Sequence, residues 1–464
     1  MKKTATPEPH PASFRDPSGF IFSREGRLFR QVNQRYATDY DHLIESGLYD
    51  DLVNNDLLVA HAERDESPAN PRIAYKVIEP ELIPFISYPY EWCFSQLKDA
   101  ALATLQAQRS AIDHGMSLKD ASAYNVQFHS GRPVLIDTLS FESLREGEPW
   151  VAYRQFCQHF LAPLALMSYV NADLVKLLRT HIDGVPLDLA SQLLPRRTWL
   201  KLSLLVHVHW HSSAQRRFAG TSTRQPRQGR RMNLNALRGL VDNLESAVQR
   251  LKWDPEHSAW ADYEQTHAYS EAAWMDKRHL VEAFLEEMRP ESVWDLGANV
   301  GSFSRLASQR GIPTVAFDYD PGAVELSYRK VRDEGETHLL PLVMDLTNPS
   351  PALGWEHRER ASLEQRGPAS AVFALALEHH LAISNNVPLG RLADFLAGLG
   401  NLLLIEFIPK EDPQVQRLLV SREDIFTEYH RAGFETAFSA HFEILRSDPV
   451  GESDRLLYRM KTLA

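Results

Sequence analysis

Apolar and polar positions alternate over Gly19–Ser23 and Arg27–Val32 around Glu25-Gly26, which predicts a β-hairpin. Leu43, Ile44, Leu48 and Leu52 recur at helical spacing over Tyr40–Val53, and Leu57–Ala60 and Ile73–Ile78 read as strands. A long helix is predicted from about Glu91 to His114. Asn125–Phe128 and Pro133–Asp137 flank the turn His129-Ser130-Gly131 as short strands, and residues 150–212 read as several helices. Leu237, Leu240, Val241, Leu244, Val248 and Leu251 form the apolar stripe of another helix. From residue 279 helices and strands alternate, as a parallel sheet covered by helices requires.

Composition narrows the class. The 464 residues are 44% hydrophobic and 24% charged, and nine Trp, 15 Tyr and 21 Phe supply core material, so disorder over most of the length is excluded. The net charge of −11 argues against a general nucleic-acid coat. The two cysteines, Cys93 and Cys157, exclude a disulfide scaffold and suit a reducing cytoplasm. No apolar run approaches the roughly 20 residues of a membrane span, so a cytoplasmic protein without membrane contact is expected. Residues 1–17 read as a flexible tail, 18–211 as one domain, 212–235 as a linker and 236–464 as a second domain. The linker carries Arg216, Arg217, Arg224, Arg227, Arg230 and Arg231, which serve either as a solvated joint or as a contact for an anionic partner such as nucleic acid.

The densest chemical signal begins at the apolar strand Ser292–Asp295. It runs into Leu296-Gly297-Ala298-Asn299-Val300-Gly301 and then into a helix starting at Ser302. Glycines at such a bend let the backbone approach a ligand closely. A second strand, Pro313–Phe317, ends in Asp318, positioned to accept hydrogen bonds from ribose hydroxyls. The loop lacks the Gly-x-Gly-x-x-Gly of a dinucleotide site and the Gly-Lys-Ser of a phosphate loop. An acid before the first glycine suits a cofactor with a cationic amino-acid end.

This segment resembles motif I of class I S-adenosylmethionine-dependent methyltransferases, and the resemblance continues through Ala316–Asp320 and Leu342–Leu346. It implies an α/β, Rossmann-like, seven-stranded sheet. S-adenosylmethionine would be held by Asp295, Gly297, Asn299 and Gly301, with Asp318 on ribose and Asp345 beside adenine. A fourth strand, Ala371–Leu377, leads to Glu378-His379-His380, where the family's acceptor faces the methyl group. These three are the candidate catalytic residues, as base or as orienter of a base, although strand-end capping explains either histidine equally well. A fifth strand, Leu402–Ile408, contains Glu406. A final pair of strands, near Glu435–Leu445 and Arg455–Lys461, would complete the sheet. Trp260, Tyr263, Tyr269 and Lys277 precede it and either cover the cofactor or simply pack.

In the N-terminal half, Asp120, Asn125 and Asp137 have phosphotransfer spacing. They resemble the catalytic and metal-binding loops of protein-kinase-like and aminoglycoside-phosphotransferase-like folds, implying an α+β kinase-like domain. No Gly-rich loop or preceding histidine accompanies them, Arg30 or Lys76 could stand for the strand lysine, and Thr138-Leu139 follows Asp137. A vestigial site used for recognition is therefore expected, with no bound metal. His207, His209 and His211 would share one face only on a strand. The leading expectation is a methyltransferase whose N-terminal domain selects an unidentified small or macromolecular acceptor. The alternatives are a phosphotransferase with a cofactor-sensing C-terminal domain and a non-catalytic cofactor-binding scaffold.

Overall fold

The structure is a computed structural model describing residues 8–210, 232–255, 270–420 and 422–463. His211, nearly all of the basic linker, and Trp260, Tyr263 and Tyr269 lie outside the described residues. The chain forms two compact units. The first runs to Trp253 and takes in Leu353–Arg360; the second comprises Asp254–Ala352 and Ala361–Ala464. The division falls after the helix Leu234–Arg250, not at the 212–235 linker, because that helix packs on Phe94–Asp113 of the first unit. Lys98 Nζ donates to the carbonyls of Gln249 and Leu251 at 2.9 Å, and Arg238 pairs with Asp113 at 2.7 Å.

The first unit opens with the expected hairpin, β1 (Gly19–Arg24) and β2 (Arg27–Asn33). Two short helices follow, Ala37–Glu45 and Leu48–Asn54. The single helix expected over Tyr40–Val53 is broken at Gly47, whose φ of +79° no helix accommodates. β3 (His61–Glu63) and β4 (Ala74–Pro80) complete an antiparallel sheet in the order β1-β2-β4-β3. The strand expected at Leu57–Ala60 is displaced: Leu58 only bridges Leu135, and pairing starts at His61. Phe22, Phe29 and Val77 pack on one side of the sheet, and Val32, Tyr36, Tyr40, Ile78 and Leu139 form a second cluster.

The 20-residue helix Phe94–Asp113 is rich in alanine and buries Leu97, Ala101, Leu105 and Ile112. Beyond it come β5 (Met116–Leu118), β6 (Val126–His129), β7 (Arg132–Leu135) and β8 (Phe141–Ser143), which pair as β5-β8 and β6-β7. Residues 153–210 form several short helices, with buried Phe156, Phe160, Leu164 and Leu166.

The second unit is built on seven strands: β9 (Val293–Leu296), β10 (Thr314–Asp318), β11 (Leu339–Val343), β12 (Ala369–Ala374), β13 (Gly400–Phe407), β14 (Phe442–Pro449) and β15 (Leu456–Thr462). Their order is β11-β10-β9-β12-β13-β15-β14. The first five pair in parallel, while β15 runs antiparallel to β13 and to β14. Near-continuous apolar sequence, as in Leu402–Ile405, is what strands covered on both faces require. Val281, Phe284 and Leu285 from the helix Glu271–Met288 pack on Val293, Phe373 and Leu404.

One expected strand is corrected. Within Glu435–Leu445 the first half is helical, Arg431–Ser439, and β14 starts at Phe442. His430 caps that helix by accepting from the Gly433 amide, and Phe434 and Phe438 stack four residues apart.

The chain leaves β9 toward β10 and β11 on one side, then returns to β12 and β13 on the other. Neighbouring crossovers thus diverge between β9 and β12. In open α/β sheets that divergence opens a crevice at the carboxyl ends of the strands, where ligands bind. Among the described residues no helix is long and apolar enough to cross a membrane.

Candidate functional site

The Asp295–Gly301 loop leaves β9 at this crevice. Its backbone is tied to the next strand, because the amides of Gly297 and Ala298 both donate to the Phe317 carbonyl, at 2.8 and 2.9 Å. The turn needs left-handed φ at Gly297 (+74°), Asn299 (+51°) and Gly301 (+84°). Glycine supplies this without strain, and asparagine tolerates it better than most residues. A Cβ on Gly297 would lie 3.1 Å from Leu377 Cδ1, which puts the loop against the exit of β12. Arg305 locks the far end: Nη1 donates to the Val300 carbonyl at 2.6 Å, Nη2 to the Ser327 carbonyl at 3.2 Å, and Nε pairs with Glu336.

Two acids flank the loop. Asp295 is 2% exposed and accepts from Ser304 Oγ at 2.6 Å. Burial pushes it up to about 6, against the Ser304 hydrogen bond and the Lys277 charge. Asp318, at the end of β10, accepts from the Asn299 amide (2.8 Å) and the Asp320 amide (2.9 Å). Burial also raises it to about 6, and the amides of Asp320, Asn299 and Tyr319 oppose the shift. The Asp318 carbonyl in turn accepts from the Met344 amide at 2.8 Å, tying the exit of β11 to it. Asp345 follows, half-buried, holding the Thr347 amide and hydroxyl at 2.9 and 2.6 Å. Asp295, Asp318 and Asp345 thus come together at the ends of three adjacent parallel strands.

Past β12, Glu378 is 1% exposed and accepts from the Ile408 amide at 2.9 Å, with Tyr429 Oη 2.8 Å from both carboxyl oxygens. Burial raises it to about 8, outweighing those hydrogen bonds. Its neutral form therefore prevails at pH 7. The His379 ring is 2% exposed, its Nδ1 has no hydrogen-bond partner, and it lies against the His380 ring at a tilt of 40° with centroids 4.1 Å apart. Burial, then the charge of His380, hold His379 well below the usual imidazole range. Burial lowers His380 as well.

The Glu378 shift has a measurable consequence. The folded state holds this proton from about pH 4.5 to 8 whereas the unfolded chain has lost it. The stabilising contribution is therefore complete below pH 4.5 and is lost as pH rises through 8. Glu378→Gln keeps a neutral acceptor for Ile408 and Tyr429. Calorimetric melting should show the wild type losing stability from pH 6 to 9 and the variant losing less. An equal loss in both would assign the pH dependence to other groups.

A buried ion pair lies below this edge. Lys277 Nζ, 2% exposed, meets Glu406 at 2.7 Å and the Phe303 ring at 4.6 Å from its centroid. Arg455 lies 3.9 Å from Glu406 and 2.8 Å from Asp412. Sequence reading named Lys277 and Glu406 separately and missed the pairing. The available signal was a glutamate inside the apolar run Leu402–Ile408, since a buried charge demands a partner.

In the first unit, Asp120, Asn125 and Asp137 are also brought together. The Asn125 side chain bonds Asp120 and donates to Ser140 Oγ at 3.2 Å, and Ser140 Oγ donates to Asp137 at 2.7 Å. Burial and the neighbouring Asp137 charge raise Asp120. Lys76 pairs with Glu63, while Arg30 pairs with Asp137 at 2.6 Å. His207 is held between Tyr153 Oη and Asn243 Oδ1, both at 2.7 Å, and His209 between Ser191 and Thr198 hydroxyls at 2.8 and 3.0 Å. These are internal packing roles.

Two clefts of about 560 and 330 Å³ run beside the end of β13 and the β14–β15 turn. They share Pro409, Glu411, Ser453 and Asp454, and Tyr429 links the larger one to Glu378. Among the described residues neither is walled by the Asp295–Gly301 loop. The loop geometry, rather than cleft size, therefore defines the candidate cofactor site.

The second unit thus has the seven-stranded α/β sheet, the loop and the strand-end acids that the resemblance to class I methyltransferases implies. No protein-family model matches the chain. Magnesium protoporphyrin IX methyltransferase (ChlM) from Synechocystis PCC 6803 aligns over 43% of this chain and 93% of its own, at 15% identity and a TM-score of 0.31. Monomeric WbdD aligns over 43% of both chains, at 16% identity and a TM-score of 0.30. At such scores these likenesses carry no argument about function. The sequence relationship to nodulation protein NoeA of Rhizobium meliloti (strain 1021) is of another order: 35% identity over 461 residues, 96% of this chain and 94% of that protein. The chain belongs to the same family as nodulation protein NoeA.

Proposed function

We propose that the second unit binds S-adenosylmethionine across the ends of β9, β10 and β11 and is a methyltransferase. The observation that carries this reading is the juxtaposition of Asp295, the Gly297–Gly301 turn and Asp318 at the point where the sheet's crossovers diverge. The residues fit the cofactor. The bend carries no Cβ at Gly297 and Gly301, where close backbone approach is needed, and the Asp318 carboxylate, oriented by the amides of Asn299, Asp320 and Tyr319, would accept from ribose. Asp295 would offer a carboxylate to the cationic amino-acid end, and Asp345 would lie beside adenine. Bound there, the cofactor supplies an electrophilic methyl on sulfonium.

The chain's own contribution is mainly positioning. Asn299 and Arg305 hold the turn, and the Lys277–Glu406 pair supports the floor. His379, with Nδ1 lacking a hydrogen-bond partner, is the proton acceptor of this reading, a weak base because burial disfavours its charged form. Glu378, protonated at pH 7, orients Tyr429 and Ile408 instead. The first unit selects the acceptor.

Cofactor affinity should depend on Asp318. Asp318→Ala removes a charged acceptor of two hydrogen bonds, each contributing about 1.5–3 kcal/mol, so calorimetry should show binding weakened at least about 100-fold. Wild-type affinity should also fall as pH drops through about 6, where Asp295 and Asp318 take up protons. Incubation with methyl-labelled cofactor and fractionated cell extract tests the activity. Wild type should label one size class and Asp318→Ala should not; label that is independent of Asp318 would refute the assignment.

A further inference from the structure

The phosphotransfer spacing of the first unit raises the question of a metal. In a kinase-like site Asn125 and Asp137 would hold magnesium, which takes near-octahedral oxygen ligands at about 2.0–2.1 Å. The residues present do not fit that role. Asp137 Oδ1 already receives Arg30 Nη2 at 2.6 Å and the Leu139 amide at 2.9 Å, and Oδ2 receives the Ser140 hydroxyl at 2.7 Å. Arg30 rises from β2, is 7% exposed, and reaches Asp16 at 3.4 Å as well. Asn125 turns its amide nitrogen to Ser140 and meets Asp120, whose Oδ1 holds the Ser122 amide at 3.0 Å and Gln155 Nε2 at 2.8 Å.

A divalent ion on Asp137 would have to share an oxygen with a guanidinium or displace it. At a few ångströms in a partly buried site, like charges repel strongly. A displaced Arg30 would be left buried beside the ion with only Asp16 as counter-charge, and truncating one partner of such pairs is costly for the same reason.

We infer that Arg30 is the resident counter-ion of Asp137, filling the position a divalent cation would need, so that this unit takes no metal at Asp120, Asn125 and Asp137. Asp137 instead fastens the segment 119–141 to β2 through Arg30, and Asp120 ties it to Gln155. This inference is independent of methyl transfer by the second unit.

Titration of the full chain with Mn²⁺, followed by the electron paramagnetic resonance of the free ion, tests it. Wild type should leave the free signal unchanged up to about 1 mM, the weak end for protein-held divalent ions. Arg30→Met, which frees Asp137, should take up about one ion per chain, and Arg30→Lys, which keeps the charge, should take up none. Uptake by wild type that is lost in Asp137→Asn would overturn the inference. So would a folded Arg30→Met that gains nothing. Should Arg30→Met not fold, wild type alone decides: magnesium-dependent release of the γ-phosphate of ATP, abolished in Asp137→Asn, overturns it, and its absence together with the unchanged Mn²⁺ signal upholds it.

Discussion

Gly297→Val is expected to abolish S-adenosylmethionine binding. Gly297 holds φ at +74°, a region that a β-branched residue occupies only with strain of about 1–3 kcal/mol. Its Cβ would stand 3.1 Å from Leu377 Cδ1 before either valine methyl is placed, so the Leu377 side chain or the loop must give way. Movement of the loop disturbs the Gly297 and Ala298 bonds to Phe317 and the Asn299 amide on Asp318. Calorimetry should detect no binding, a loss of at least about 100-fold, with the melting temperature lowered by only a few degrees. Retained affinity would remove the loop from the cofactor site.

Replacing His379 by Gln should lower turnover by roughly 10²–10⁴-fold, the usual contribution of a positioned proton acceptor, while cofactor affinity stays within about twofold. Burial keeps the ring neutral well below its ordinary range, so wild-type kcat should show no acid limb from this group between about pH 6 and 8. His380→Gln is the comparison, since it disturbs the same pair of rings. Equal losses in both variants would reduce His379 to packing, and no loss in either would leave the acceptor without a base here.

Much of the second unit was legible because its signals are local. A short apolar strand, a glycine turn and an acid lie within a few residues, and Asp295, Gly297, Asn299, Gly301, Asp318 and Asp345 each stand at a strand end. What was illegible is long-range. Glu378 finds Tyr429 51 residues on, Lys277 finds Glu406 129 residues on, and Arg30 finds Asp137 across the first unit. Nothing in the spacing of these pairs foretells contact, although a charge inside an apolar strand announces that one is needed. The helix at Arg431–Ser439 is hidden because Phe434, Phe438 and Phe442 recur every four residues, a spacing that also keeps one face of a strand. The helix Leu234–Arg250 was assigned to the second half because its own stripe does not say which unit it covers.

The most direct measurement is a calorimetric titration of the intact chain with S-adenosylmethionine at pH 7.5 and again at pH 5.5. Binding at one site per chain, weaker at the lower pH as Asp295 and Asp318 take up protons near 6, is the expected result. Absence of binding at both pH values, or an affinity that rises on acidification, would contradict a cofactor site built on these two acids.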